Sequence, residues 1–147
     1  AHGRAMTSTT ADRTFLDTNV LVYSVDTAEP DKMERAREII SRLPARATVV
    51  STQVLIEFYV TVTRKLPRPL TQQEAAGMVD DLSRLETVTT DARLVRTAIG
   101  LSRSATVSLF DALILVAAGE AGCTRVLTED LAAGSTIGGV HIQNPFA

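Results

Sequence analysis

The sequence predicts an α/β layer fold with a largely parallel central sheet. Two observations predict it: short β-prone runs alternate with longer segments of helical periodicity, and Pro, Gly and capping residues punctuate the joins. A third observation concerns chemistry. Acidic residues stand directly after strand-like runs, where open parallel α/β sheets bind their ligands.

The opening "AHGRAMTSTTADR" is small, polar and aperiodic. Residues 1–13 are expected to be a disordered tail, with "AHGRA" before Met6 read as expression scar, so His2 receives no functional weight. From Thr14, "TFL" is strand-like, and "VLVYSVD" stays apolar as far as the turn-forming "TAEPDK". "DKMERAREIISRL" puts Met33, Ala36, Ile39, Ile40 and Leu43 on one helical face, and Pro44 closes it. "ATVVS" is the second strand. Ser51 or Thr52 caps the helix after it, "QVLIEFYVTVTRKL", which stops near Pro67 and Pro69. Thr71, with Glu74 three residues on, forms a capping box that opens a helix to about Leu85. "ETVTT" is strand-like and "DARLVRTAIGLSRS" an amphipathic helix. "VSLFDALILVAAGEAG" is a helix apolar almost all round, hence buried, with Gly122 at its C-terminal cap. "TRVLT" is a strand, "EDLAAGSTIGG" a loop with a short helical start, and "VHIQN" a last short strand. The two helices between the second and third strands pair as a hairpin. Residues 14–147 are read as a single domain, without repeat, low-complexity tract or linker.

Composition narrows the function classes. A chain of 147 residues has room for one substantial core. No apolar run reaches the roughly 20 residues of a membrane helix, and no apolar h-region marks a secretory signal, so a cytoplasmic protein is expected. The lone cysteine, Cys123, excludes an intrachain disulfide, fits a reducing compartment and reads as a small buried hydrophobe. A formal charge of −2 exerts no global pull on nucleic acid, so any such site must be local.

Four acids fall in apolar settings at one edge of the expected sheet. Asp17 directly follows "TFL"; Asp130, with Glu129 beside it, follows "RVLT"; Glu57 lies roughly one and a half turns into the helix after "ATVVS"; Asp111 opens the most apolar helix. Each has an ordinary structural explanation. Asp17 suits an Asx-turn, Asp111 a capping box with Ser108, and Asp130 the cap of a short helix. Glu57 is harder to place, because Arg64 and Lys65 are more than a turn away and six apolar residues surround it. It is expected to be buried and in need of a partner. Taken together, clustered carboxylates must take up protons or bind cations. An oxygen-only donor set without His or Cys points to magnesium or manganese rather than zinc. Two such ions about 4 Å apart activate a water and stabilise a leaving oxygen in phosphodiester cleavage.

The set "FLDTNVLVY", "VLIEFY", "SLFDALILVAA" and "VLTEDL", followed by "IQNPF", resembles the PIN-domain ribonucleases, most of all the VapC-type toxins of bacterial toxin–antitoxin pairs, from Thr14 to Phe146. The resemblance implies a PIN-like three-layer α/β/α sandwich with a central, mostly parallel sheet of four to five strands. It places the acidic metal-binding and catalytic set on Asp17, Glu57, Asp111 and Asp130. Asn19, Thr128 and Ser108 match supporting polar positions, and Glu129 is the adjacent acid. The activity implied is that of a Mg2+-dependent endoribonuclease, with Mn2+ as substitute, acting on structured RNA, transfer or ribosomal RNA foremost, and arresting translation. The partners implied are a second copy of the chain and a cognate VapB-type antitoxin that places a basic side chain in the acidic pocket.

For RNA contact, "TRKLPRP" offers Arg64, Lys65 and Arg68, weighed evenly against an ordinary solvated surface. Arg93, Arg96 and Arg103 on one helix read as solvated. No aromatic stacking platform is evident. Two other function classes fit less of the pattern. An aspartyl-nucleophile phosphatase would need an acid where Asn19 stands, and an activating lysine. A metal-binding scaffold without cleavage explains the acids but not the completeness of the set.

Overall fold

The structure, a computed structural model, describes residues 12–147. The expected tail therefore lies, for residues 1–11, outside the described residues. Arg13 is already part of the fold: its Nε donates to the Ala121 carbonyl (2.7 Å), and its guanidinium pairs with Glu86.

Six strands make one sheet: β1 (Thr14–Leu16), β2 (Thr48–Ser51), β3 (Glu86–Val88), β4 (Arg125–Leu127), β5 (Thr136–Ile137) and β6 (Val140–Gln143), in the order β3-β2-β1-β4-β6-β5. All pairings are parallel except β5 with β6. The helices are α1 (Thr18–Tyr23), α2 (Pro30–Arg42), α3 (Thr52–Arg64), α4 (Gln72–Leu82), α5 (Ala92–Ala105) and α6 (Leu109–Glu120). The chain winds outward from β1 through β2 to β3, then returns to the other side of β1 with β4. That reversal makes the β1/β4 junction a topological switch point.

The sheet has one strand more than the expected four to five. The extra strand, β5, lies where a loop with a helical start was expected, and no helix forms there. The cause is the dipeptide Gly138-Gly139, at φ of +60° and +82°, which closes a two-residue hairpin between Ile137 and Val140. The run after β1, read from the sequence only as apolar, forms α1. Its residues are strand-prone, but Asp17 caps it, accepting from the Thr18 amide (2.7 Å), and Val20, Leu21 and Val22 are buried. Burial overrides local propensity here.

The remaining elements follow their sequence signals. Ser51 caps α3, Thr71 and Glu74 form the capping box of α4, and Asp91 caps α5. Helix α6 ends in a Schellman motif, with the amides of Gly122 and Cys123 donating to the carbonyls of Gly119 and Ala118. It packs on β2, β4 and β6, with α5 beside it, while α3 packs on α1 and α4. The core centres on Phe15, Val49, Val50, Phe58, Val126 and Ile142, all fully buried. Cys123 is buried too, and burial pushes its thiol up to about 11, which keeps it inert. Among the described residues no single helix is long and apolar enough to cross a membrane.

A carboxylate cleft at the switch point

Asp17 stands at the end of β1, and its amide donates to the Leu127 carbonyl of β4 (3.1 Å), continuing the parallel ladder one step past the strand. The side chain is 8% exposed. Thr128 Oγ1 donates to its Oδ2 (2.8 Å) and the Thr18 amide to its Oδ1. Burial pushes Asp17 from an ordinary 3.8 up to about 6. The Thr128 and Thr18 hydrogen bonds pull it the other way, and the charges of Glu57 and Asp130 add to the rise.

Thr128 is the hub on the β4 side. Fully buried, its hydroxyl also accepts from Asn19 Nδ2 (3.3 Å) and from the Asp130 amide (3.2 Å). Asn19 Nδ2 donates to Asp130 Oδ2 (2.9 Å), and its Oδ1 accepts from the Glu129 amide (3.1 Å). Asn19 and Thr128 thus lock the end of β1 to the turn after β4. Asp130 caps no helix.

The cleft so formed measures about 100 Å³ and is lined by Asp17, Asn19, Glu57, Asp111 and Asp130, with Phe110 and Thr18 among the rest. The structure therefore brings all four acids together. None of them meets a cation within salt-bridge distance among the described residues. Glu57 accepts from Gln53 Nε2 (3.1 Å), one turn before it, and the Ser108 hydroxyl caps α6 by accepting from the Asp111 amide (3.1 Å).

Several expectations need correction. Glu57 is exposed, not buried: α3 buries Val54, Phe58 and Val62, four residues apart, and this stripe turns Ile56 and Glu57 outward. Of the apolar neighbours that suggested a buried Glu57, Leu55, Ile56, Tyr59 and Val60 instead line an open apolar trench along α3 and α4, where Ile56 is 64% exposed. Glu129 faces away from the cleft. It takes Lys32 (2.5 Å) and the Tyr23 hydroxyl (2.6 Å); burial opposes its charge, but these partners outweigh that and hold its carboxyl below the usual range. Arg64, Lys65 and Arg68 do not line the cleft, and Arg68 bonds Thr27 instead. Phe110, 65% exposed on the cleft wall, matches the aromatic of the family resemblance but lies open, where the sequence suggested a buried helix and no stacking platform.

The donor chemistry fits a hard divalent cation: oxygens only, four of them carboxylate groups. Thr18 Oγ1, in the same cleft, is a buried hydroxyl with no hydrogen-bond partner among the described residues, one more oxygen suited to a hydrated ion. As the side chains stand, however, no three acidic, His or Cys groups among the described residues converge closely enough to hold an ion. Mutual repulsion of like charges favours such spreading. Asp17 and Asp130 are tied by hydrogen bonds, whereas Glu57 and Asp111 are the less constrained of the four.

Fold and cleft together define a doubly wound α/β protein with an acidic cleft at its switch point. The PIN-domain family model matches residues 14–133, and the chain belongs to that family, a family of nucleases. Among solved structures, it is similar to a toxin–antitoxin complex from Klebsiella pneumoniae (TM-score 0.65, 18% identity, covering 90% of this chain and 97% of that one). It is also similar to VapC20 of Mycobacterium tuberculosis, described as a sarcin–ricin loop cleaving toxin (TM-score 0.61, 18% identity, 77% and 86% covered). A third is DNA-bound VapBC from Salmonella typhimurium (TM-score 0.59, 24% identity, 91% and 98% covered). No curated protein matches the chain at a significant level.

Proposed function

We propose that this PIN-domain protein is a divalent-metal-dependent endoribonuclease of the VapC toxin type, acting on RNA, transfer or ribosomal RNA foremost, and inhibiting translation. The observation that carries the proposal is that Asp17, Glu57, Asp111 and Asp130, from four separate segments, line one small cleft with no neutralising cation among the described residues. Such a cluster is costly unless it serves to bind cations. In this reading the four carboxylates would hold Mg2+, with Mn2+ as substitute. Once bound, the metal supplies charge neutralisation of a phosphodiester and an activated water.

The chain's own residues do the positioning. Thr128 holds Asp17 Oδ2 and Asn19 holds Asp130 Oδ2, so two carboxylates are preset across the β1/β4 junction. Although burial raises Asp17 to about 6, its carboxyl is still mostly ionised at about pH 7 and would be available to a cation. Gln53 steadies Glu57 within reach of the cleft, Ser108 fixes the start of α6 and hence Asp111, and Phe110 offers a ring face for a base beside the cleft. The partners in this reading are RNA, a cognate VapB-type antitoxin and a second copy of the chain. The exposed apolar trench along α3 and α4 supports a protein contact.

The test is cleavage of purified RNA by antitoxin-free protein with and without chelator, with the cut ends mapped. Cleavage that needs Mg2+ or Mn2+, and that is lost in Asp17→Asn, Glu57→Gln, Asp111→Asn and Asp130→Asn proteins that remain folded, is expected. Undiminished cleavage in chelator, or by Asp17→Asn, would refute the reading.

A further inference from the structure

The face of β4 and β6 turned away from α6 carries a feature that the carboxylate cleft does not use. Val140 faces α6, since a Cβ at Gly119 would stand 3.9 Å from its side chain. Strand alternation then puts His141 and Gln143 on the opposite face. The parallel register pairs Arg125 with His141 and Leu127 with Gln143, so these four side chains share that face. Helix α2 flanks it, and between them lies a hollow of about 480 Å³ whose lining includes Arg35, Arg42 and Arg125 and no carboxylate.

Two further hollows extend it. One shares Arg35 and Pro145 and reaches Lys32 and Phe146; the other shares Arg125 and Gln143 and reaches His141. The result is one trough with a cation at each stage. At its Lys32 end, Lys32 pairs with Glu129, the residue next to Asp130 in the chain. Among the described residues, the acidic side chains that line these hollows are Asp31 and Asp12, toward the two ends. Arg35 and Arg42 share the single carboxylate of Glu38 (3.3 and 3.4 Å). Arg125 donates to Thr14 Oγ1 (2.8 Å) and Gln143 Oε1 (3.1 Å) and meets no carboxylate among the described residues. A half-buried guanidinium without a counter-ion invites an anion from outside.

We propose that this trough is the track of the RNA phosphodiester backbone as it leaves the carboxylate cleft, with Arg35, Arg42 and Arg125 as its phosphate-binding residues. This rests on the nuclease reading above. Arg35 and Arg42 are two helical turns apart, about 10 Å along α2, a span suited to successive phosphates rather than to one small anion. Guanidinium forks match phosphate oxygens in pairs. On a chain of net charge −2, a polyanion requires such a local run of cations. The cations come from segments more than 80 residues apart in the numbering, Arg35 and Arg42 on α2 and Arg125 on β4, so no basic run in the sequence announces them.

The experiment measures anisotropy of a labelled single-stranded RNA with Asp17→Asn protein, which binds without cutting, against the same protein also carrying Arg35→Ala and Arg42→Glu. The Arg42 side chain is 76% exposed, so its reversal spares the fold, and circular dichroism verifies this. Arg125→Gln is the second variant. The trough variants are expected to bind about tenfold more weakly, with the slope of log K against log salt reduced by about one for each phosphate no longer engaged. Unchanged affinity and slope in the folded Arg35/Arg42 variant would overturn the track while leaving the nuclease reading intact. Conversely, weakened binding in a protein whose wild type cuts no RNA would keep the track and sink the nuclease. Equal displacement of the RNA by polyglutamate or by single-stranded DNA would overturn the assignment to RNA.

Discussion

Replacing Asp17 by Asn removes a buried charge while keeping its shape. Burial holds this carboxyl at about 6 against an ordinary 3.8, roughly two units, which corresponds to about 3 kcal/mol of destabilisation once the group is ionised. Because the folded value is the higher one, the folded protein keeps a proton that the unfolded chain has already lost between about pH 4 and 6. Stability therefore falls as pH rises through that window, and the full cost is present above it. The carboxamide oxygen of the substituted side chain would still accept from the Thr18 amide. Its NH2 would face Thr128 Oγ1, whose hydroxyl loses its acceptor, a loss of about 1 kcal/mol. The net expectation in chelator at about pH 7.5 is a gain of about 1–2 kcal/mol, or about 2–8 °C in Tm for a chain of this size. Thermal unfolding by circular dichroism reads it, and the gain should shrink toward pH 4. Saturating Mg2+ should then reverse the ranking: at 100 times its Kd, a ligand bound only by the folded state adds about 2.7 kcal/mol, and the variant forfeits most of that. An Asp17→Asn protein less stable than wild type in chelator, or a gain that does not vary with pH, would refute the argument that burial and like charge dominate at this position.

Thr128→Val removes the donor to Asp17 and the acceptor of Asn19 and the Asp130 amide, for a loss of about 2–4 kcal/mol in stability and of RNA cleavage; Thr128→Ser should restore cleavage, and a fully active Val variant would contradict the hub. Phe110→Ala should leave Tm unchanged, since the ring is exposed, but weaken single-stranded RNA binding by about 1–3 kcal/mol, read by anisotropy. Gly122→Ala forces a Cβ into φ +72° with open space around it, so the cost is purely conformational, about 1 kcal/mol on thermal unfolding with cleavage intact.

The parallel sheet and the positions of Asp17 and Asp130 were legible because both follow from pattern, short strand-like runs each followed at once by a polar turn, whereas Glu57 and Asp111 were singled out as acids in apolar helices and through the family resemblance. Thr71 with Glu74 and Ser108 with Asp111 were legible as caps for the same local reason. What escaped depends on tertiary contact. The run Val20–Tyr23 carries strand-prone side chains and forms a helix because Asp17 caps it and the core takes up its apolar face. The exposure of Glu57 depends on which stripe of α3 meets the core, and with apolar residues on nearly every side the sequence left that stripe ambiguous. The strand β5 had a signal, Gly138-Gly139 between Ile137 and Val140, outweighed by the polar residues before it. The arginine trough had none, since it exists only through the register of β4 with β6 and the placement of α2 beside them.

That register also explains why the acidic cleft divides into a fixed half and an adjustable half. Leu16 pairs with Leu127, and the Asp17 amide extends the ladder to the Leu127 carbonyl, so the next residues on each strand, Asp17 and Thr128, meet side by side. A slip of one residue in the β1/β4 pairing would send one of them to the other face of the sheet and bury Phe15 or Val126 wrongly as well. Core packing and site geometry on this side are therefore a single specification, enforced by the whole hydrophobic core. Glu57 and Asp111 have no such enforcement. They project from helices whose buried stripes fix the backbone; the Glu57 carboxylate has one light tether, Gln53, and Asp111 is held only through its backbone amide, which donates to Ser108 Oγ. A cleft built this way holds half of its charge rigidly and leaves the other half adjustable; under the proposed function the fixed half would meet the phosphate and the adjustable half would close on a cation.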